Sequence, residues 1–292
     1  MSEKLDRPGM GWLPDYPDYR DYTEGHEEVK VLLSGLKGVG KKKGSRPAAR
    51  VDLRPWCSPI EDQGQLGACT AQAGVGIVEY FERRAFGRHL DASRLFLYKV
   101  TRNLLNWTGD TGAFLRTTMA ALVLFGVPPE KYWPYNPADF DKEPTAFCYA
   151  FAQNYQAIRY FRLDPPGTPK ADLLKRIKFY LSRGIPAMFG FSVYSSIRQA
   201  REKGLIPFPA PGEKAEGGHA IVAVGYDDSL KIINPGGGSE TTGALLIRNS
   251  WGTGWGEEGY GWLPYDYVLQ GLAVDWWSLY KLEWINTGRF SL

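Results

Sequence analysis

Gln63-Gly64-Gln65-Leu66-Gly67-Ala68-Cys69 is the stretch on which the fold turns. It leads into a segment, from Ala68 to about Phe86, in which Ala71, Val75, Val78, Phe81 and Ala85 recur at intervals of three or four. That spacing predicts a helix with one buried stripe and with Cys69 just inside its N-terminus. Unpaired backbone N–H groups and the helix dipole at that end favour a thiolate over a thiol, and the thiolate is the nucleophilic form of cysteine. Gly74 and Gly76 weaken a helix, so close packing against a neighbour is the expected reason for them. For an isolated cysteine the ordinary reading is a small buried hydrophobe. Position alone therefore makes Cys69 a candidate and no more.

Further helices are expected from Ala113 to Phe125 and from Lys170 to Leu181, the last stopped at Gly184. The later sequence changes to short β-rich runs, Ile185 to Val193, Ala220 to Tyr226, Leu230 to Ile233 and Ala244 to Arg248. Asp227-Asp228 and Pro235-Gly236-Gly237-Gly238 supply turns between them. Helices early and antiparallel strands late indicate an α+β protein of two lobes.

Residues 1–46 differ from the rest. Gly11-Trp12-Leu13-Pro14-Asp15-Tyr16-Pro17 has prolines too closely spaced for a regular helix and reads as an extended aromatic strip lying on another surface. Gly38 to Gly44, with Lys41, Lys42 and Lys43, reads as a solvated basic linker. Gly35 to Lys42 has the spacing of a phosphate-binding loop, but Lys42 stands where a Ser or Thr hydroxyl is needed, and Pro47 interrupts the following helix. The match is coincidental.

Among the three histidines, His26 and His89 sit in charged surroundings. His219 instead follows Gly217-Gly218 and opens the apolar run Ala220 to Tyr226, where small neighbours admit a ligand backbone and a strand holds the imidazole. Arg248-Asn249-Ser250-Trp251-Gly252 ends another strand. Adjacent antiparallel strands would set Asn249 beside His219, with Trp251 covering their hydrogen bond.

Together, Q-G-x-x-G-x-C at Gln63–Cys69, G-H-A at Gly218–Ala220 and N-S-W-G at Asn249–Gly252 resemble the papain-like cysteine peptidases in order and spacing. Gly112, Trp133-Pro134-Tyr135 and the Gly254–Tyr260 run extend the resemblance over about residues 50 to 265. It implies a helical left lobe and an antiparallel β-barrel right lobe within residues 47–292, divided near residue 140, with the cleft between them. It further implies Cys69 as nucleophile, His219 as base and acid, Asn249 as the residue orienting His219, and Gln63 as oxyanion donor. Gly112, Gly218 and Trp251 match substrate-binding positions. The implied substrates are peptides or proteins, and no cofactor or metal is implied. Leu66 replaces a cysteine that secreted members bridge, and Thr70 replaces the usual Trp after the nucleophile. Gly11 to Asp15 and Pro264 to Trp277 resemble the bacterial branch of the family of which xylellain is a representative. Cys57 and Cys148 read either as two buried free thiols or as one bridge. Residues 1–46 are expected to pack across or beside the cleft and limit access, as an intramolecular regulator, or else to serve as a belt that only stabilises the fold.

Composition narrows the alternatives. The chain has 292 residues, 35 Lys and Arg against 32 Asp and Glu, three Cys and three His. Three cysteines do not make a disulfide scaffold or a four-cysteine zinc site. A net charge of +3 gives no reason to expect nucleic-acid binding. No apolar stretch reaches the 18–20 or so residues of a membrane span. A monomer is expected, in the cytoplasm because the N-terminus lacks a signal-like apolar core, with unconventional export as the alternative. The rival activities are a thiol acyltransferase or amidase using the same Cys–His pair, and a non-catalytic binding protein on the same fold.

Overall fold

The computed structural model describes residues 9–31, 48–155 and 159–280. The basic linker and the phosphate-loop spacing lie outside the described residues. Six helices are labelled here: α1 (Cys69–Phe86), α2 (Arg94–Leu104), α3 (Leu115–Leu124), α4 (Ala146–Ala152), α5 (Lys170–Ser182) and α6 (Tyr265–Leu269). Strands β1 (Trp12–Leu13) and β3 (Ala113–Phe114) pair in parallel as a two-stranded ribbon. The main sheet is antiparallel, with spatial order β4 (Arg159–Arg162), β9 (Ala273–Tyr280), β5 (Ala187–Tyr194), β6 (Ala215–Ile232), β7 (Thr241–Arg248) and β8 (Tyr260–Pro264). Strand β2 (Arg50–Asp52) adds to β6. The expected right-lobe barrel is thus an antiparallel sheet in which no pairing of β4 with β8 closes the ring among the described residues.

Helix α1 lies between the two lobes, and this position explains its composition. It is buried on nearly all sides rather than along one stripe. A side chain added at Gly74 would press on Leu97, Thr118 and Leu122 of α2 and α3, so glycine there permits close helix packing. Gly76 faces the Arg248 guanidinium of β7 in the same way. The helix ends at Gly87, whose φ of 74° makes the left-handed cap.

Two expectations shift, and one of two open readings falls away. The helix expected from Ala113 begins at Leu115, because Ala113 and Phe114 are drawn into extended pairing with Trp12 and Leu13. The turn expected at Asp227-Asp228 is absent. Strand β6 runs through it, and a slip of its ladder with β7 between Asp227 and Lys231 absorbs the irregularity. The bridge between Cys57 and Cys148 does not form. Both are free and buried, Cys57 with its thiol on the Leu53 carbonyl and Cys148 with its thiol on the Tyr132 carbonyl.

Candidate active site

The turn before α1 is fixed by side chains rather than by a capping residue. Ala68 offers no side-chain cap. Instead the Asp110 carboxylate accepts the Gly67 N–H at 2.9 Å and the Tyr98 hydroxyl at 2.5 Å. The Gly112 N–H donates to that same hydroxyl at 3.1 Å. One acid therefore ties together the loop before Cys69 and the neighbouring rim at Gly112. Gln63 is fully buried, and its Oε1 accepts the Ser250 hydroxyl at 2.6 Å. That leaves its amide nitrogen to donate, one N–H to the Leu66 carbonyl of its own turn and one into the site.

The other wall is built by β6 and β7. His219 sits within β6, in register with Phe191 of β5, and is fully buried. Its Nε2 lies 2.8 Å from the Asn249 Oδ1, which also accepts the Ser250 N–H at 2.8 Å. An acceptor on Nε2 places the proton there and leaves Nδ1 without a proton. Nδ1 has no hydrogen-bond partner. The Trp251 ring stacks on the imidazole at 4.5 Å between centroids and 23° between planes, covering the hydrogen bond. Arg248 reaches back to the Ser58 and Pro59 carbonyls, so the end of β7, one residue before Asn249, is anchored beside α1. Through Ser250, the Gln63 amide and the His219–Asn249 pair belong to one hydrogen-bonded chain.

The N-terminal segment runs between these walls. The Gln63 Nε2 donates to the Gly9 carbonyl at 2.9 Å and to the Leu66 carbonyl at 2.8 Å. The Gly11 carbonyl accepts the Ala113 N–H at 2.8 Å. Gly112 is required there twice over: its φ is +72°, and a Cβ would lie 2.2 Å from the Gly11 oxygen. Around the Cys69 sulfur are backbone N–H groups of Ala220, at 3.4 Å, and of Gly11, Thr70 and Trp12. Met10 lies on Gly217, and the Trp12 carbonyl and ring lie on Gly218.

Enclosure reverses the electrostatics expected from position. Burial pushes the Cys69 thiol up to about 11, despite the surrounding N–H groups. Burial also pushes His219 down to about 4, and the Asn249 hydrogen bond offsets only part of this. In this covered state the pair is a neutral thiol and a neutral imidazole.

The structure brings Gln63, Cys69, Gly112, Gly218, His219, Asn249 and Trp251 together here, while Cys57 and Cys148 make other contacts. Ser250, Asp110 and Tyr98 are the additions. Ser250 had a signal, being the second residue of N-S-W-G. Asp110 and Tyr98 had none, since their role depends on a contact between two loops.

Comparison with known proteins follows the same lines. The model of the papain family cysteine protease matches residues 47–270. An uncharacterised peptidase C1-like protein of Acanthamoeba polyphaga mimivirus is 31% identical over 282 residues, covering 94% of this chain and 87% of that one. Cathepsin K of Gallus gallus is 30% identical, covering 80% and 67%. Among solved structures, xylellain, a cysteine protease from Xylella fastidiosa, superposes with a TM-score of 0.72 at 33% identity, covering 93% of this chain and 96% of that chain.

Proposed function

Since the chain belongs to the papain family of cysteine proteases, and so is a thiol peptidase, we propose that Cys69 is its nucleophile, that His219 is the base and acid, that Asn249 orients His219, and that Gln63 donates to the oxyanion. The Cys69 thiol gives its proton to His219 Nδ1, and the sulfur attacks a peptide carbonyl carbon. The carbonyl electron pair moves to oxygen, where Gln63 Nε2 and the Cys69 N–H stabilise the charge. As the tetrahedral species collapses, the C–N bond breaks and the imidazolium protonates the leaving amine. Water then adds to the thioester, giving a proton to His219, and the thiol leaves reprotonated. The observation that carries this reading is the pairing of His219 Nε2 with Asn249 Oδ1, which fixes the tautomer and reserves Nδ1 for the thiol proton.

The second part of the reading concerns access. Gly9–Leu13 uses the groups that catalysis needs: its Gly9 carbonyl takes the Gln63 donor, and its backbone runs over Cys69 beside Gly112. The segment is an intramolecular regulator that must move before a substrate binds. Asp15 and Asp21 hold it by ion pairs to Arg116, with Arg116 Nε 2.7 Å from Asp21 Oδ1. An epoxide thiol inhibitor applied to the Trp12→Ala chain, with intact mass and peptide mapping as the readout, tests the assignment. Covalent addition at Cys69 with parallel loss of peptide hydrolysis supports it. Hydrolysis that persists in Cys69→Ala overturns it.

A further inference from the structure

Tyr135 closes the run Trp133-Pro134-Tyr135, and no step of the reaction uses it, yet it holds the residue that aims the oxyanion donor. Its hydroxyl donates to the Gln63 backbone carbonyl at 3.0 Å. The Gln63 N–H donates to the Ser250 carbonyl at 2.9 Å. The main chain of Gln63 is therefore pinned once from each wall of the site. The Gln63–Gly64 peptide needs such a pin. Gly64 has a φ of 60° and open space where a Cβ would stand. A glycine adopts left- and right-handed backbone about equally readily, so the peptide before it can rotate and carry the Gln63 carbonyl away. Two side chains oppose that rotation. Asp62 Oδ1 accepts the Gly64 N–H at 2.8 Å, but Asp62 belongs to the same loop and moves with it. Tyr135 holds the other end of the peptide from a separate segment.

Tyr135 is itself well fixed. Its N–H donates to Glu130 Oε1 at 2.6 Å, and Arg94 Nη2 lies 3.0 Å from the same oxygen. Arg94 is buried, and its guanidinium stands 5.5 Å from the centre of the Tyr135 ring. Pro134 restricts the backbone just before it, and the Trp133 carbonyl accepts the Ser93 hydroxyl at 2.5 Å. The Gln72 amide of α1 faces the phenol oxygen, so the hydroxyl lies between the helix that carries Cys69 and the loop that carries Gln63. Burial pushes the phenol well above its ordinary range, so it stays protonated and able to donate wherever a thiol peptidase works.

We propose that Tyr135 is a positioning residue for the oxyanion: by fixing the Gln63–Gly64 peptide, its hydroxyl keeps Gln63 Nε2 aimed at the point that the Cys69 N–H also serves. This rests on the reading of Gln63 as oxyanion donor in a thiol peptidase. Tyr135 acts through Gln63 alone. A donor displaced by about 1 Å loses much of an interaction that exists in the tetrahedral species and not in the bound peptide. The thiol–imidazole pair is set by Asn249 and Trp251, which Tyr135 does not hold. The hydroxyl therefore governs the chemical step without governing substrate binding or the reactivity of the sulfur.

The test uses the full chain carrying Trp12→Ala, so that the N-terminal segment does not limit turnover. Adding Tyr135→Phe removes the hydroxyl and keeps both the ring beside Arg94 and the N–H on Glu130. Hydrolysis of a short peptide is expected to fall about ten-fold in kcat and in kcat/KM alike, with KM held within about two-fold, as for a contact made only in the transition state. Iodoacetamide supplies the control. The sulfur attacks its methylene carbon and expels iodide, no oxyanion forms, and the alkylation rate is expected not to fall. A second background, Gln63→Ala, separates positioning from general support of the fold. With no donor left to aim, Tyr135→Phe is expected to cost less than about two-fold there, whereas a contribution to the fold alone would cost the same ten-fold in both backgrounds. Unchanged kcat in Tyr135→Phe, an equal loss in the Gln63→Ala background, or alkylation that falls in step with kcat would overturn the proposal. Full turnover in Gln63→Ala breaks the oxyanion assignment and the proposal with it, whereas a loss in Gln63→Ala with none in Tyr135→Phe breaks the proposal alone.

Discussion

Two regions meet at the Cys69 sulfur, and they are held in different ways. The catalytic walls are secured by regular structure: Cys69 by the start of a helix buried between the lobes, and His219 by a central strand paired on both sides. The segment from Gly9 to Leu13 has two residues of parallel pairing. It depends instead on anchors of high specificity, namely the Gly9 carbonyl on Gln63, the Trp12 indole on Asp275 and two acids on Arg116. Regular structure makes the walls permanent, while a few side-chain anchors make the segment removable. A site whose parts must persist and a cover that must leave call for these two kinds of support.

The largest effect should come from breaking the walls chemically. Cys69→Ala is expected to lower kcat by 10⁴-fold or more in a peptide-hydrolysis assay, leaving the circular dichroism spectrum unchanged. Gln63→Ala should divide the two regions. It is expected to lower kcat about 10²- to 10³-fold through loss of the oxyanion donor, and at the same time to raise the rate of Cys69 alkylation, because Gly9 keeps only its N–H bond to the Gly64 carbonyl. Asn249→Ala is expected to cost about ten- to a hundred-fold in kcat/KM. The Asn249 bond is the one influence that raises His219, so its loss moves the acid limb of the pH profile to lower pH. The smallest effect should come from Asp15→Asn. Arg116 retains the buried Asp21, so the segment loosens only in part, and a few-fold rise in alkylation rate is expected from an ion pair that is partly solvated.

The same contrast governs what could be read from the sequence. Cys69, His219 and Asn249 are legible because each sits in a short run whose small and aromatic neighbours are themselves required, and because helix and strand periodicity place those runs. Helix α2 is not, because its buried face carries Arg94, Lys99 and Arg102. These are tolerated there through ion pairs with Glu61, Glu130, Asp141 and Glu143, which come from distant parts of the chain, so the apolar stripe is masked. Asp275 is hidden for a related reason. In sequence it is an acid before two tryptophans, and only a bulge in β9 turns it toward the Trp12 indole. The elevated thiol is also beyond local reading. The helix start favours thiolate, but enclosure by residues some sixty positions earlier outweighs it.

The most direct test of a thiol–imidazole pair held inactive by its own N-terminal segment is the pH dependence of Cys69 alkylation by iodoacetamide in the native chain and in Trp12→Ala. In the native chain, the rate should stay low through neutral pH and rise only as pH approaches about 11, the value to which burial lifts the thiol. In Trp12→Ala, water and His219 reach the sulfur, and rapid alkylation should appear several pH units lower. Identical profiles for the two chains, or a native Cys69 already reactive at neutral pH, would contradict the account.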